Sequence, residues 1–134
     1  MTGEPCSCVE IDSSDITAPA FCRERVVQRA RVGHLCAECD RAIEPGESYL
    51  YVSGRWEDYF GALKICQDCQ SIIQEFFSCG YHLGRVRASL RGHVYETDGR
   101  IPEACILALT PRARDWLLDV IDRYFIEADR DRVR

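Results

Sequence analysis

Nine cysteines stand in this 134-residue chain, at positions 6, 8, 22, 36, 39, 66, 69, 79 and 105. Four of them form two Cys-x-x-Cys pairs, Cys36-Ala-Glu-Cys39 and Cys66-Gln-Asp-Cys69, with 26 residues between the pairs. Within each pair the spacing lets both thiolates of one tight turn reach a single ion at about 2.3 Å. The second pair completes a tetrahedral, all-thiolate shell that suits Zn²⁺ and leaves no open coordination position. Cys36, Cys39, Cys66 and Cys69 are therefore the candidate metal ligands. The plainer alternative is four buried or redox-active cysteines. A thioredoxin-like motif needs one such pair after a strand in a βαβ unit, and two facing pairs fit it badly. An odd cysteine count with no visible secretory signal also favours metal over a disulfide framework.

Five cysteines remain. Cys6, Cys8, Cys22 and Cys79, with His82 three residues beyond Cys79, make a candidate second zinc site. Such a site would pin the amino-terminal arm to the end of the zinc-bearing helix; unligated thiols are the competing reading. Cys105, inside the apolar run Ala104–Leu109, reads as a small core residue. Of the three histidines, His34 reads as packing on the first knuckle and His93 as a surface residue.

The elements that must position these residues follow from pattern. Residues 1–20 are rich in Ser, Asp, Thr and Pro and read as an extended arm. Residues 21–32 alternate as a strand, with Arg23, Arg25, Arg29 and Arg31 on one parity and Val26, Ala30 and Val32 on the other. Glu44-Pro45-Gly46-Glu47 is a turn; residues 48–52 and 62–65 are short strands, with Ser53-Gly54 as a break. Cys69, Ile72, Ile73, Phe76 and Phe77 then fall at i, i+3, i+4, i+7 and i+8, one face of a helix over 67–79 that Gly80 ends. A shorter helix is expected over 83–94, and a helical or buried apolar segment over 102–109. Thr110 and Pro111 open a last helix on which Ala113, Trp116, Leu117, Val120, Ile121, Tyr124 and Phe125 form an apolar stripe. Knuckle, hairpin, then a helix carrying two ligands in its first turn is the treble-clef order. The expected fold class is α+β: an arm over 1–20, a treble-clef zinc-binding core over 21–80, and a helical extension over 81–134 packed on that core.

Twenty-two acids against 17 bases leave a net charge of −5. Residues 1–80 hold 13 acids and 7 bases; residues 81–134 hold 9 acids and 10 bases. A free duplex-binding domain usually carries excess positive charge, and this chain does not. Lys64 is the single lysine, so 16 of the 17 bases are arginine, whose planar fork suits carboxylates and phosphates. The longest apolar run has six residues, against the roughly 20 that span a bilayer, so no membrane association and a cytoplasmic location are expected.

The stretch from Cys36 to Tyr49, with Gly54-Arg55-Trp56 and Lys64-Ile65-Cys66-Gln67-Asp68-Cys69, resembles small cysteine-rich proteins encoded in tailed-phage and prophage genomes. Cys79-Gly80 and the segment from Leu109 to Arg114 are similar with less specificity. The match covers about a third of the chain. The resemblance implies a zinc-stabilised phage-type protein working in the host bacterial cytoplasm. Small accessory phage proteins frequently act on host defence machinery, CRISPR complexes included.

The preferred function is a non-catalytic interaction protein binding a host protein or nucleoprotein complex, with Glu44, Glu47, Glu57, Asp58 and Tyr59 as candidate contacts. An acidic surface would steer it to a basic partner. Leu118 and Ile126 lie off the main stripe of the last helix and offer a homodimer face or a second contact. The second reading is nucleic-acid binding through Arg23, Arg25, Arg29 and Arg31, extended by Arg85, Arg87 and Arg91. Tyr49, Tyr51, Trp56 and Tyr59 would then serve as stacking surfaces. The third is an HNH-like nuclease, which needs histidines on the hairpin and helix; neither 46–65 nor 67–79 holds one. No His-x-Glu accompanies the cysteine pairs as a zinc deaminase requires. No catalytic activity is expected.

Overall fold

Alternating side chains from Tyr49 to Val52 and a glycine-bearing turn before them set up the sheet on which everything else rests. The computed structural model describes residues 21–56, 59–77 and 84–132. Among these described residues five strands and four helices follow in chain order: β1 (Phe21–Val27), β2 (His34–Leu35), β3 (Ala42–Ile43), β4 (Tyr49–Trp56), β5 (Tyr59–Cys66), α1 (Gln67–Phe76), α2 (Val86–Glu96), α3 (Glu103–Leu107) and α4 (Pro111–Arg132). The arrangement is α+β, a small sheet with helices at the carboxy-terminal side, as the sequence pattern implies. The arm over 1–20 lies outside the described residues. No helix among the described residues is long and apolar enough to cross a membrane.

β1, β4 and β5 form an antiparallel sheet in the order β1-β4-β5, while β2 and β3 pair as a separate two-residue ribbon. The hairpin strands are longer than the pattern suggests. Ser53-Gly54 does not break β4, because Gly54 pairs with Gly61 on β5 and with Cys22 on β1 in an uninterrupted ladder. β1 is shorter than expected and ends at Val27. Beyond it Ala30 is buried and bonds the neighbouring turn instead, its N–H donating to the Glu47 carbonyl at 2.8 Å and its carbonyl accepting from Gly46 at 2.8 Å. Arg29 and Arg31 therefore leave the strand face on which Arg23 and Arg25 remain.

The turn before β4 is of the Pro-Gly kind. The Glu47 N–H donates to the Glu44 carbonyl at 3.1 Å, with Gly46 at φ +93°. That backbone angle favours glycine. Gly46→Ala, which meets open space, is expected to cost about 1 kcal/mol through backbone strain alone. A denaturation midpoint indistinguishable from that of the parent would contradict this.

Two buried clusters result. One gathers Ala30, Cys36, Ile43, Tyr49, Leu50, Val52, Ile65, Cys66 and Cys69 between sheet and knuckle. The other gathers Ile72, Phe76 and Phe77 of the α1 segment with Val86, Leu90, Val94, Leu109, Ala113, Leu117 and Val120. Ile73 packs against both, so α1 is the shared wall. Its i, i+3, i+4 stripe is what the helical cluster is built on. In α4 the expected stripe holds through Tyr124, with Ile121 and Tyr124 partly buried against the helical cluster, but Phe125 is 49% exposed. Leu118 and Ile126, off the stripe, are 42% and 52% exposed. Cys105 is buried in the helical cluster as expected, yet it is disulfide-bonded. Among the described cysteines, a disulfide at Cys105 thus stands beside four free thiols, Cys36, Cys39, Cys66 and Cys69.

Candidate metal centre

Backbone hydrogen bonds build the first turn. The Cys36 N–H donates to the Arg41 carbonyl at 2.8 Å, and the Asp40 N–H to the Cys36 carbonyl at 2.9 Å. Asp40 takes the left-handed conformation at φ +62°, which Asp tolerates better than most side chains. The Ala37 N–H reaches the Lys64 carbonyl at 2.8 Å, pinning this knuckle to the end of β5. There the strand stops at Cys66, whose extended backbone caps α1, so Cys66 and Cys69 bracket the first helical turn. Helix N-terminal amides favour thiolates at that place.

These two turns bring Cys36, Cys39, Cys66 and Cys69 together, with all four sulfur atoms within 4.8 Å of one another. Cys39 Sγ and Cys66 Sγ are 3.8 Å apart. A tetrahedral ion with about 2.3 Å bonds to sulfur has edges of about 3.8 Å, so the donor set fits a four-thiolate metal. Cys36, Cys66 and Cys69 are fully buried and Cys39 is half-buried.

Donors are already aimed at the sulfurs. Cys36 Sγ accepts from the N–H groups of Cys66 at 3.3 Å and Glu38 at 3.4 Å. Cys69 Sγ accepts from Arg87 Nε at 3.3 Å. Side-chain hydrogen bonds from Cys66 and Cys69, aided by those two amides, hold the Cys36 thiol far below its ordinary value. Its bond to Cys36 pushes the Cys66 thiol up to about 12, and Cys36, Cys66 and burial push Cys69 upward too. One negative charge is accommodated; four need a cation among them.

The residues between the cysteines do more than close turns. Glu38 is buried enough that desolvation raises its carboxyl's pKa, and it accepts from the N–H groups of Gly84 and of Val86, the latter at 3.0 Å. Arg85, at the helix boundary, makes no side-chain cap, so Glu38 caps α2 from another part of the chain. Asp68 is 7% exposed; Thr110 Oγ1 donates to it at 2.6 Å and Arg41 Nε lies 3.5 Å from its other oxygen. Thr110, expected to cap α4 through its hydroxyl, thus donates that hydroxyl across to α1. In both motifs the acid immediately before the second cysteine ties a carboxy-terminal helix to the knuckle. The repeated acid is visible in the sequence and was the available signal.

Other candidate residues fall differently. Arg87, grouped by sequence with a basic patch, is drawn inward between Cys69 Sγ and the Trp116 ring, 4.8 Å from its centroid. Glu47, a candidate partner contact, is committed locally. It accepts from the Glu44 N–H at 3.0 Å and pairs with Arg41 at 2.9 Å, which together keep its carboxyl below the usual range. Glu44 is exposed. Glu57, Asp58 and the Tyr59 side chain lie outside the described residues, as do Cys6, Cys8, Cys79, His82 and the Cys22 side chain of the candidate second site. His34 packs against Tyr49 with ring centroids 5.2 Å apart. Comparison of the chain with protein-family models, with curated proteins and with solved structures returns no match.

Proposed function

We propose that this chain is a non-catalytic interaction protein with a treble-clef core, its knuckle, hairpin and helix closed on zinc held by Cys36, Cys39, Cys66 and Cys69. The observation carrying this reading is the convergence of four thiols from two distant turns, all within 4.8 Å. Zinc there would offset the thiolate charge and cross-link β5, α1 and the first knuckle. A shell filled by four protein sulfurs has no place for the activated water of hydrolytic zinc enzymes. Rigid surfaces, rather than a reacting centre, are what such a core offers. On the resemblance noted in the sequence, the partner would be a host macromolecule.

Metal analysis of the purified chain tests the centre directly. One zinc per chain is expected, lost when Cys36 and Cys66 are both changed to serine; a metal-free, folded parent would overturn the reading. Two zinc ions per chain would place a second ion among Cys6, Cys8, Cys22, Cys79 and His82, without all four cysteines as ligands, since the Cys105 disulfide takes one of the cysteines other than Cys36, Cys39, Cys66 and Cys69. Capture from a bacterial lysate is expected to retain one reproducible macromolecule, and recovery of none would overturn the interaction role.

A further inference from the structure

Strand alternation divides the three-stranded sheet into two unlike faces. Leu50, Val52 and Ile65 occupy one of them and are buried. The other carries Arg23 and Arg25 from β1, Tyr51, Ser53 and Arg55 from β4, and Ala62 and Lys64 from β5. No carboxylate occupies a strand position on that face. This is notable in a chain where acids outnumber bases. Arg23, Arg25 and Arg55 are exposed and Lys64 is half-exposed. Among the described residues none of these four cations joins an ion pair, whereas Arg41 and Arg123 do.

Register organises the patch. Arg25, Tyr51 and Lys64 are direct neighbours across the three strands. The Arg25 guanidinium lies 5.1 Å from the Tyr51 ring centroid and the Lys64 ammonium 6.0 Å from it. One aromatic ring thus spaces two cations whose N–H groups still need acceptors. Past the end of β1 the surface continues into an open cleft bounded by Arg29, Arg31, His34 and Tyr49, with exposed Val26 and Val32 at its rim.

We infer that this face binds single-stranded nucleic acid. The inference rests on the reading of the chain as an interaction protein and names its partner class. Phosphates supply the acceptors that the four cations lack, and guanidinium planes, aromatic rings and the apolar rim suit unstacked bases. A sheet surface offers no projecting helix for the major groove, so a single strand fits better than a duplex. The set differs from the one expected on the linear sequence: Arg29 and Arg31 move to the cleft, while Arg55 and Lys64 join the sheet face.

Fluorescence anisotropy with labelled single-stranded DNA and RNA oligonucleotides, and a duplex of the same sequence, tests this on the full chain. Metal content is measured in the same sample, so loss of the zinc reading and loss of this inference are separable. Four phosphate contacts predict a log–log salt slope of about −3, at about 0.7 per contact for single strands. The double variants Arg25→Gln/Lys64→Gln and Arg23→Gln/Arg55→Gln should each reduce that slope by about 1.4. Arg100→Gln/Arg130→Gln, away from the sheet, should leave it unchanged. Failure of the folded, metal-loaded chain to bind either single strand at low salt would overturn the inference. So would binding insensitive to both sheet variants, or a duplex bound as tightly as the single strands.

Discussion

Removal of the proposed zinc by a strong chelator is expected to unfold the helical cluster together with the knuckles, giving a large loss of far-ultraviolet circular dichroism. Apparent binding energies for structural zinc in small peptides are about 10–16 kcal/mol. Whole-domain stabilities are about 5–15 kcal/mol, so a chain folded around such an ion has little left without it. The route of propagation is specific. Glu38, within the first knuckle, satisfies the opening amides of α2, and Arg87 of α2 returns a hydrogen bond to Cys69. Asp68, within the second, holds Thr110 at the start of α4. Hydrogen exchange should therefore accelerate in α2 and α4 as well as in β4 and β5. An unchanged spectrum after metal loss has been verified would refute the dependence of the fold on the ion.

Asp68→Ala should lower stability by about 2–4 kcal/mol while leaving the metal in place. A hydrogen bond to a charged group is worth about 1.5–3 kcal/mol, and an acid in the first turn of a helix adds about 0.3–1 kcal/mol. For a chain of this length the thermal midpoint falls by about 10 °C. Asp68→Asn keeps an acceptor for Thr110 but loses the charge opposite Arg41, so it should recover part of the loss. The discriminating measurement pairs metal content with thermal unfolding. Zinc retained with stability reduced supports Asp68 as the tie between α1 and α4; stability unchanged in the alanine variant removes that role.

The parts of the fold set by near neighbours in the chain could be read directly. The Cys-x-x-Cys pairs, the Pro-Gly turn at 44–47 and the apolar stripes of α1 and α4 each depend on spacing alone. Strand limits could not be read so well, because they depend on what lies across the ladder. Gly54 looks like a break until Gly61 is placed opposite it, and Ala30 continues an alternation that its bonds to the turn override. The ties between knuckle and helices were hidden for the same reason. Glu38 and Val86 are 48 residues apart, and Asp68 and Thr110 are 42. The repeated acid before each second cysteine marks the turn residue, but local sequence does not say which distant helix end it will reach. Arg87 illustrates the limit, since its charge suggests surface while its neighbours Cys69 and Trp116 draw it inward.

Among the described side chains Val120 is the last buried position in α4, yet the helix runs on to Arg132, about 18 Å farther at 1.5 Å per residue. Tyr95 and Tyr124 brace its middle, their hydroxyls donating to Glu127 and Asp98 respectively. Mechanically, α4 is a rod held at two places: its root is bolted beside the cysteines through Thr110, its middle is clasped at Ile121, Tyr124 and Glu127, and residues 129–131 beyond are exposed. A load applied at the tip meets the Tyr95–Tyr124 brace before it reaches the anchorage, so the lever arm is the last turn or two rather than the whole rod.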